Sequence, residues 1–182
     1  DEAAEEVYAY ILQIDPVDRD ALRGLDELYT AQHRWAELVD VLKREVSSTY
    51  DETELLGYMF RLGQVYETYL GELDLAVTQY RSILDQDPHH LGALERLERI
   101  YQAREEWEPL YDVYSRMCEV AELDVRKADL YAGMARIAES ALGRPEDAID
   151  LWSKVLDLKG EEPEALRSLE RLNEAQERWR EL

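Results

Sequence analysis

The sequence predicts an all-α protein made of repeated helical hairpins, and two observations carry this prediction. First, apolar residues recur at a constant distance along the chain: Ala76 lies 72 positions after Ala4 and 72 positions before Ala148. Tyr80 lies midway between Tyr8 and Trp152 in the same way. Second, the apolar residues between these positions keep the three-to-four-residue spacing of amphipathic helices. A fixed period of this kind is typical of a repeat protein, whose core runs lengthwise through neighbouring units.

The composition agrees with a helical array and excludes several function classes. The chain has 182 residues and is 46% hydrophobic and 35% charged, with 8 Gly and 5 Pro, and its formal net charge is −21. Because such an acidic surface repels the phosphates of nucleic acids and anionic lipid headgroups, we expect no nucleic-acid partner. No apolar run approaches the roughly 18 residues that a membrane span needs, so we expect no membrane contact by this segment. The acidic N-terminus is unlike a signal peptide, and we expect a cytoplasmic location.

The helices follow in order from apolar stripes and from the breakers between them. The first runs to residue 14 and ends at Asp15-Pro16, because the residue before a proline is pushed out of the α region. Gly71 is well placed as the left-handed residue that ends a helix over 52–70. The other helices are predicted at about 20–31, 35–46, 73–85, 91–103, 106–121, 125–142, 145–158 and 163–176, with the start of another at Trp179.

Two hairpins fill each 72-residue unit, and they align on the residue at the turn: His33, Gly71 and Glu105. The spacing is 38 positions from His33 to Gly71 and 34 positions from Gly71 to Glu105, so we expect one alternate connection to be longer by about a helical turn. We expect a single array over 1–182 that is truncated at both ends and belongs to a longer chain. Its parts are a partial repeat at 1–16, hairpins at about 20–47, 52–87, 90–121 and 124–159, and a partial repeat at 162–182.

These hairpins resemble the tetratricopeptide repeat, whose period is about 34 residues. The resemblance departs at Gly160, which replaces the expected proline, and at positions 35, 107 and 179, where tryptophan stands in place of a smaller aromatic residue. It implies a right-handed α-solenoid whose concave groove, lined by the first helix of each hairpin, binds a peptide or helix of a partner protein. The matching residues are Leu62, Gly63, Tyr66, Ala76, Tyr80, Ile83 and Pro88, and then Tyr131, Ala135, Gly143, Ala148, Trp152 and Val155.

The repeat register places a set of mostly charged residues on the predicted groove. One subclass of the family holds a terminal carboxylate with paired lysines and asparagines, and the predicted groove of this chain lacks these residues. Arginine instead makes bidentate bonds to acidic side chains of a partner. The alternative is that these residues pair with each other on the surface, as Glu95 and Arg99 are spaced to do. The candidates are Arg23, Glu27, Phe60, Gln64, Glu67, Glu95, Arg99, Arg136, Glu139, Arg167 and Arg171.

No residue pattern predicts catalysis, a metal site or a cofactor. His33, His89 and His90 have no Cys or His at zinc spacing, and there is no phosphate-binding glycine loop or nucleophile elbow. Cys118 is the only cysteine, which excludes an intrachain disulfide, and we interpret it as a small packed hydrophobe. We therefore expect a non-enzyme.

The aromatic residues are mostly predicted to belong to the core, at positions 8, 29, 35, 66, 80, 101, 107 and 152. Tyr58, Phe60 and Tyr69 break the register, and we expect Phe60 to face the groove. The aromatic-rich helices are also similar to half-TPR repeats of RNA-processing scaffolds, which implies an assembly role.

Two alternatives to the groove scaffold stay open. One is a spacer or assembly module that self-associates weakly through open repeat ends, because the stripe Val7, Tyr8, Ile11 and Leu12 lacks a preceding helix to cover it. The other is a regulatory arm of a larger multidomain protein.

Overall fold

A computed structural model describes residues 2–180, with side chains for residues 2–176. Within this part of the chain there are ten α-helices, one π-helical turn and no strand. This confirms the all-α class and most predicted helix boundaries to within two residues. The helices are α1 (Glu2–Ile14), α2 (Arg19–Ala31), α3 (Trp35–Ser48), α4 (Glu52–Val65), α5 (Leu73–Gln86), α6 (Leu91–Arg104), α7 (Trp107–Val120), α8 (Asp124–Ser140), α9 (Pro145–Lys159) and α10 (Pro163–Arg180), and the π turn is Tyr66–Leu70.

The chain divides into two compact units, Asp1–Asp87 and Pro88–Leu182. The first unit holds α1 to α5 with the π turn, and the second holds α6 to α10. Inside each unit every helix packs against the next one along the chain. The connections inside the units have only two to four residues, so neighbouring helices form antiparallel hairpins. That all the hairpins form one array stays a prediction.

Side-chain caps fix the starts of three of the helices. Asp18 Oδ1 accepts a hydrogen bond from the amide of Ala21 (2.8 Å) at the start of α2. His90 Nδ1, which occupies the same repeat position as Asp18, accepts one from the amide of Ala93 (3.1 Å) at the start of α6. Asp51 caps α4 in the same way, at 2.9 Å from the amide of Glu54. Each cap satisfies an amide that has no partner inside its helix.

The predicted turn residues all adopt the left-handed conformation. His33, Gly71 and Glu105 have φ values of 58°, 70° and 55°. Gly143, which is the repeat counterpart of Gly71, has a φ of 63°. These four residues end the first helix of each complete hairpin. The turn alignment inferred from the sequence is therefore confirmed.

Two kinds of turn alternate along the chain. After His33 and Glu105 the turn closes with a Schellman-type hydrogen bond between residues five positions apart. At His33 the amide of Arg34 donates to the carbonyl of Tyr29, and at Glu105 the amide of Glu106 donates to the carbonyl of Tyr101, each at 2.9 Å. After Gly71 and Gly143 the closing bond spans six residues, from Glu72 to Tyr66 (2.9 Å) and from Arg144 to Ala138 (2.7 Å). The wider closure follows the π turn in the first unit. Nothing in the hydrophobic pattern indicated this π turn.

The longer spacing between the turn residues, 38 positions from His33 to Gly71 against 34 from Gly71 to Glu105, comes from longer helices. Helix α4 and the π turn together span 52–70, and α8 has 17 residues, whereas α6 has 14. The connections before α4 and α8 have three residues each, 49–51 and 121–123. The expectation of a longer connection was therefore wrong.

The expected helix start at Trp179 was also wrong, because α10 continues without a break from Pro163 to Arg180. A left-handed turn at a non-glycine residue costs roughly 1–2 kcal/mol, which packing of the next helix offsets at His33 and Glu105. At the corresponding repeat position, Glu177, the backbone stays helical, so no turn precedes Trp179. The side chain of Trp179 lies outside the described residues.

The core of each unit confirms the repeat register. Leu22, Leu25 and Leu38 are buried in the first unit, and the residues 72 positions later, Leu94, Leu97 and Leu110, are buried in the second. Tyr80 and Trp152 correspond in the same way and are 0% and 1% exposed.

Four of the eight aromatic residues assigned to the core are only half-buried: Tyr8, Tyr29, Trp35 and Trp107. Trp35 and Trp107 are the first residues of α3 and α7, so they lie at the end of a hairpin. The ring of Trp35 stacks on Tyr69 of the π turn, with centroids 3.8 Å apart and planes 11° apart. The recurrence of aromatic residues thus marks the repeat correctly, but it predicts too much burial for the aromatic residues at helix starts.

Candidate partner-binding surface

The first helices of the hairpins are α2, α4, α6, α8 and α10, and the eleven candidate residues lie on these helices or on the π turn that continues α4. We call these eleven residues the first-helix face. None of them is buried. Seven are exposed, namely Arg23, Glu27, Glu95, Arg99, Arg136, Arg167 and Arg171, and four are half-buried, namely Phe60, Gln64, Glu67 and Glu139.

In the first unit, part of this face supports the core. Glu67 accepts a hydrogen bond from the hydroxyl of Tyr80 in α5 (2.8 Å). The ring centroid of Phe60 lies 5.7 Å from that of Tyr80. Arg23 and Glu27 form a surface pair one turn apart on α2, with Nε and Oε1 separated by 3.4 Å. Of these residues, Arg23 and Glu27 are the ones a partner reaches most easily.

In the second unit, Arg136 of α8 is bound by Glu164 of α10. Its Nε and Nη2 atoms donate to the two Glu164 oxygens, each at 2.6 Å. The guanidinium carbon also lies 5.8 Å from the ring centroid of Trp152. The hydrogen bonds raise the pKa of Arg136 and lower that of Glu164. A bidentate pair of this kind is stronger and more specific in geometry than a pair with a single hydrogen bond.

A second ion pair, between Arg171 of α10 and Glu139 of α8, joins the same two helices. Arg167 Nε donates to the carbonyl of Pro163 on its own helix, at 3.0 Å. Several candidates therefore pair within the chain. Arg23 and Glu27 do so at the spacing of four that the alternative interpretation described, whereas Arg136 and Arg171 pair between helices. Their assignment to partner binding stays a prediction.

Sequence reasoning missed the ion pairs between α2 and α4. Arg61 of α4 donates from Nη2 to Asp26 Oδ1 (2.6 Å) and to Thr30 Oγ1 (2.8 Å) of α2. Arg19 and Glu54 form a second pair at 2.5 Å. Asp26 is buried, and the signal for it was its position next to Leu25 on the apolar stripe of α2.

The sequence analysis also missed Glu45 of α3, which is only 5% exposed. Burial, assisted by the negative charge of Asp26, raises the pKa of Glu45 to about 7, although Arg61 and Arg19 oppose the shift. Its Oε2 atom has no hydrogen-bond partner among the described residues. The signal was its spacing of three, four and seven residues from Leu42, Val41 and Leu38, which places it on the buried stripe.

Glu45 lies in the wall of a cavity of about 790 Å³ formed by α2, α3 and α4. We call it the α2–α4 cavity. Charged groups from all three helices line it, and Leu22 and Tyr58 supply apolar surface. Burial raises the pKa of the Tyr58 hydroxyl, which therefore stays protonated at neutral pH. The size of the cavity is in the range of small-ligand sites in proteins.

The described residues show no constellation suited to metal chemistry or to an activated thiol. No group of three or more His, Cys, Asp or Glu side chains among them could hold a metal ion. Burial raises the pKa of the Cys118 thiol to about 11, so it is protonated and unreactive at neutral pH. No helix within residues 2–180 has the length and apolar character needed to cross a membrane.

The hairpins and their turn spacing define the class of the chain as an all-α, tetratricopeptide-like helical repeat. No protein-family model matches it. Lipopolysaccharide assembly protein B of Escherichia coli K12 is 28% identical over 149 residues, covering 72% of this chain and 38% of that protein. The same protein of Escherichia coli O157:H7 matches equally well. The chain thus spans well under half the length of the curated relatives that it matches.

Two solved structures are similar at lower identity. A mutant of MamA is 18% identical with a TM-score of 0.48, covering 88% of each chain. A thermophilic TPR protein of Thermus thermophilus is 16% identical with a TM-score of 0.41, covering 94% of this chain and 89% of that one. The class given above depends on the helices and turns of the chain itself.

Proposed function

We propose that this chain is a non-catalytic scaffold that binds a peptide or helix of another protein on its first-helix face. The observation that supports this most is that none of the eleven face residues is buried, although they lie on helices whose other sides form the core. Exposed arginines and glutamates alternate on these helices. Such a surface suits a partner segment of mixed charge.

The curated relative adds support of a general kind. Its name describes it as an assembly protein, and helical repeats offer long surfaces for bringing proteins together. Because the chain covers 38% of that protein, the activity and partners of the whole relative are not carried over. The cytoplasmic location also stays a prediction.

A pull-down with matched charge variants tests the scaffold. The face variant is Arg99→Ala with Arg167→Ala, and the control is Lys43→Ala with Arg81→Ala, which removes two exposed cations from the second helices α3 and α5. We expect the face variant to lose a partner that the wild type and the control retain. Equal capture by all three proteins, or capture of no partner by any, would reject the proposal.

A second candidate function is assembly through α1. Val7, Tyr10 and Ile14 are 57%, 63% and 72% exposed and follow one another at helical spacing. The predicted open stripe was partly wrong, because Tyr8, Ile11 and Leu12 pack on the second helix of the chain, α2. The exposed apolar residues of α1 favour contact with another molecule, and salt strengthens such contact by screening the charge of −21.

A further inference from the structure

The α2–α4 cavity has a counterpart one repeat period further along the chain, and the two differ at three matched positions. Arg19, Glu45 and Tyr58 line the first, and the corresponding Leu91, Met117 and Leu130 line a cavity of about 300 Å³ in the second unit. These three positions therefore carry polar or charged groups around the larger cavity and apolar groups around the smaller one, which Glu95, Glu122 and Arg126 also line.

This comparison shows that the repeat does not need an acid at Glu45. Met117 fills the same position of α7 and is 2% exposed. A buried carboxylate without a partner costs stability, which a buried methionine does not. Glu45 thus destabilises the fold, which does not require it, and it lies in a cavity. Such a charged group points to the binding of a ligand there.

The charges around the α2–α4 cavity do not balance. Five carboxylates and three arginines line it, a net formal charge of −2. Each of these arginines is paired with one carboxylate of the lining, and among the described residues no arginine pairs with Asp20 or Glu45. The pairs are Arg19 with Glu54, Arg23 with Glu27, and Arg61 with Asp26.

We propose that the α2–α4 cavity binds one cationic group, an ammonium or a guanidinium, with the Glu45 carboxylate as its anion. The cation donates to Glu45 Oε2, the atom that has no hydrogen-bond partner among the described residues. A charge-assisted hydrogen bond is stronger than one between neutral groups, and the Glu45 side chain that would accept it is only 5% exposed. The half-buried ring of Tyr58 offers apolar surface to the methylene stem that carries the charge.

Two sources supply this chemistry: a lysine or arginine side chain of a partner protein, or a small free amine. The first deepens the scaffold function proposed above and rests on it. The second does not need a protein partner. The two sources are separated below by the probes.

Protonation of Glu45 competes with the cation. Since the pKa of Glu45 is about 7, roughly nine-tenths of it is ionised at pH 8 and one-tenth at pH 6, so we expect about tenfold tighter binding at pH 8. The other titratable or charged groups that face the cavity are Arg19, Arg23, Arg61, Asp20, Asp26, Glu27, Glu54 and Tyr58.

The test is a two-dimensional amide NMR titration of the full chain. The probes are an acetyl-Gly-Lys-Gly-amide peptide, its arginine and norleucine analogues, and putrescine. We expect the lysine or arginine peptide to shift amides around Ser48, Tyr58 and Arg61, and the norleucine peptide to leave them unchanged. We expect these shifts to be abolished by Glu45→Gln and by Glu45→Met. The second substitution introduces the methionine that the second unit carries at the same repeat position. The control Glu6→Gln removes an exposed carboxylate of α1 and is expected to bind like the wild type.

Each outcome decides the proposal. It is overturned if no cationic probe shifts these amides, if Glu45→Gln binds as well as the wild type, or if binding is equal at pH 6 and pH 8. Shifts with putrescine alone overturn the partner side chain as the source and leave the free amine. The pull-down with Arg99→Ala and Arg167→Ala changes no residue of this cavity, so its failure rejects the scaffold independently.

Discussion

Gly63 and Gly57 lie on the same helix, α4, and alanine is expected to have opposite effects at the two positions. A Cβ atom at Gly63 would lie 2.6 Å from Cε1 of Tyr80, whereas at Gly57 nothing lies within 4 Å. The Tyr80 ring is 0% exposed, and its hydroxyl donates to Glu67 at 2.8 Å. The ring therefore has no room to move away from an added methyl group.

The magnitude follows from two opposing effects. Overpacking of a core costs about 1–3 kcal/mol, and replacing a helical glycine by alanine gains about 0.5–1 kcal/mol. We therefore expect Gly63→Ala to lower the free energy of unfolding by about 1–2 kcal/mol. The exposed Gly57→Ala keeps only the helix gain and is expected to raise it by about 0.5–1 kcal/mol.

Urea unfolding followed by circular dichroism measures both changes on the full chain. The slope of the transition should be the same for all three proteins, because the surface exposed on unfolding is the same. Stabilisation by both variants, or an equal loss in both, would refute the packing of Tyr80 against Gly63 and with it the register of this hairpin.

Three further predictions concern stability, pH and association. Trp152→Ala is expected to cost about 3–5 kcal/mol in urea unfolding, because Trp152 is 1% exposed, whereas the half-buried Trp107→Ala should cost about 1–2 kcal/mol; equal losses would contradict the burial pattern. The pKa of Glu45 is about 7 in the folded state against an ordinary 4.5. Protonation of Glu45 therefore stabilises the folded state fully below pH 4.5, and this stabilisation is lost as the pH rises to 7. Glu45→Gln should therefore be more stable than the wild type above pH 7, by up to about 3 kcal/mol, and equal to it near pH 4.5; a difference independent of pH would contradict the shift. Sedimentation velocity should show weak self-association that grows with salt and is reduced in Ile14→Glu, and a strict monomer in both low and high salt would reject the α1 contact.

The sequence predicted the parts of the fold that recur with the repeat period. Leu22 and Leu94 are both buried because the same stripe recurs in the same register. The turn at Glu105 was predictable because it aligns with Gly71, although glutamate has no intrinsic preference for the left-handed region. Periodicity is a property of the whole array, so it overrides a poor local propensity.

The sequence did not predict what differs between the repeats. Glu45 and Met117 occupy one buried repeat position, and the repeat period does not indicate that the acid lines a larger cavity than the methionine does. The bond between Arg136 and Glu164 joins side chains on two different helices, and no helical spacing rule covers their distance in sequence. The π turn was hidden because Gly71 ends the helix in the expected place whichever hydrogen-bond pattern precedes it.

Hydrogen exchange on the full chain, with and without the partner captured in the pull-down, tests the central claim most directly. The proposal that the partner lies on the first-helix face predicts slower amide exchange in α2, α4, α6, α8 or α10 on binding, with little change in α3, α5, α7 and α9. Slower exchange confined to these second helices, or no change anywhere, would contradict it.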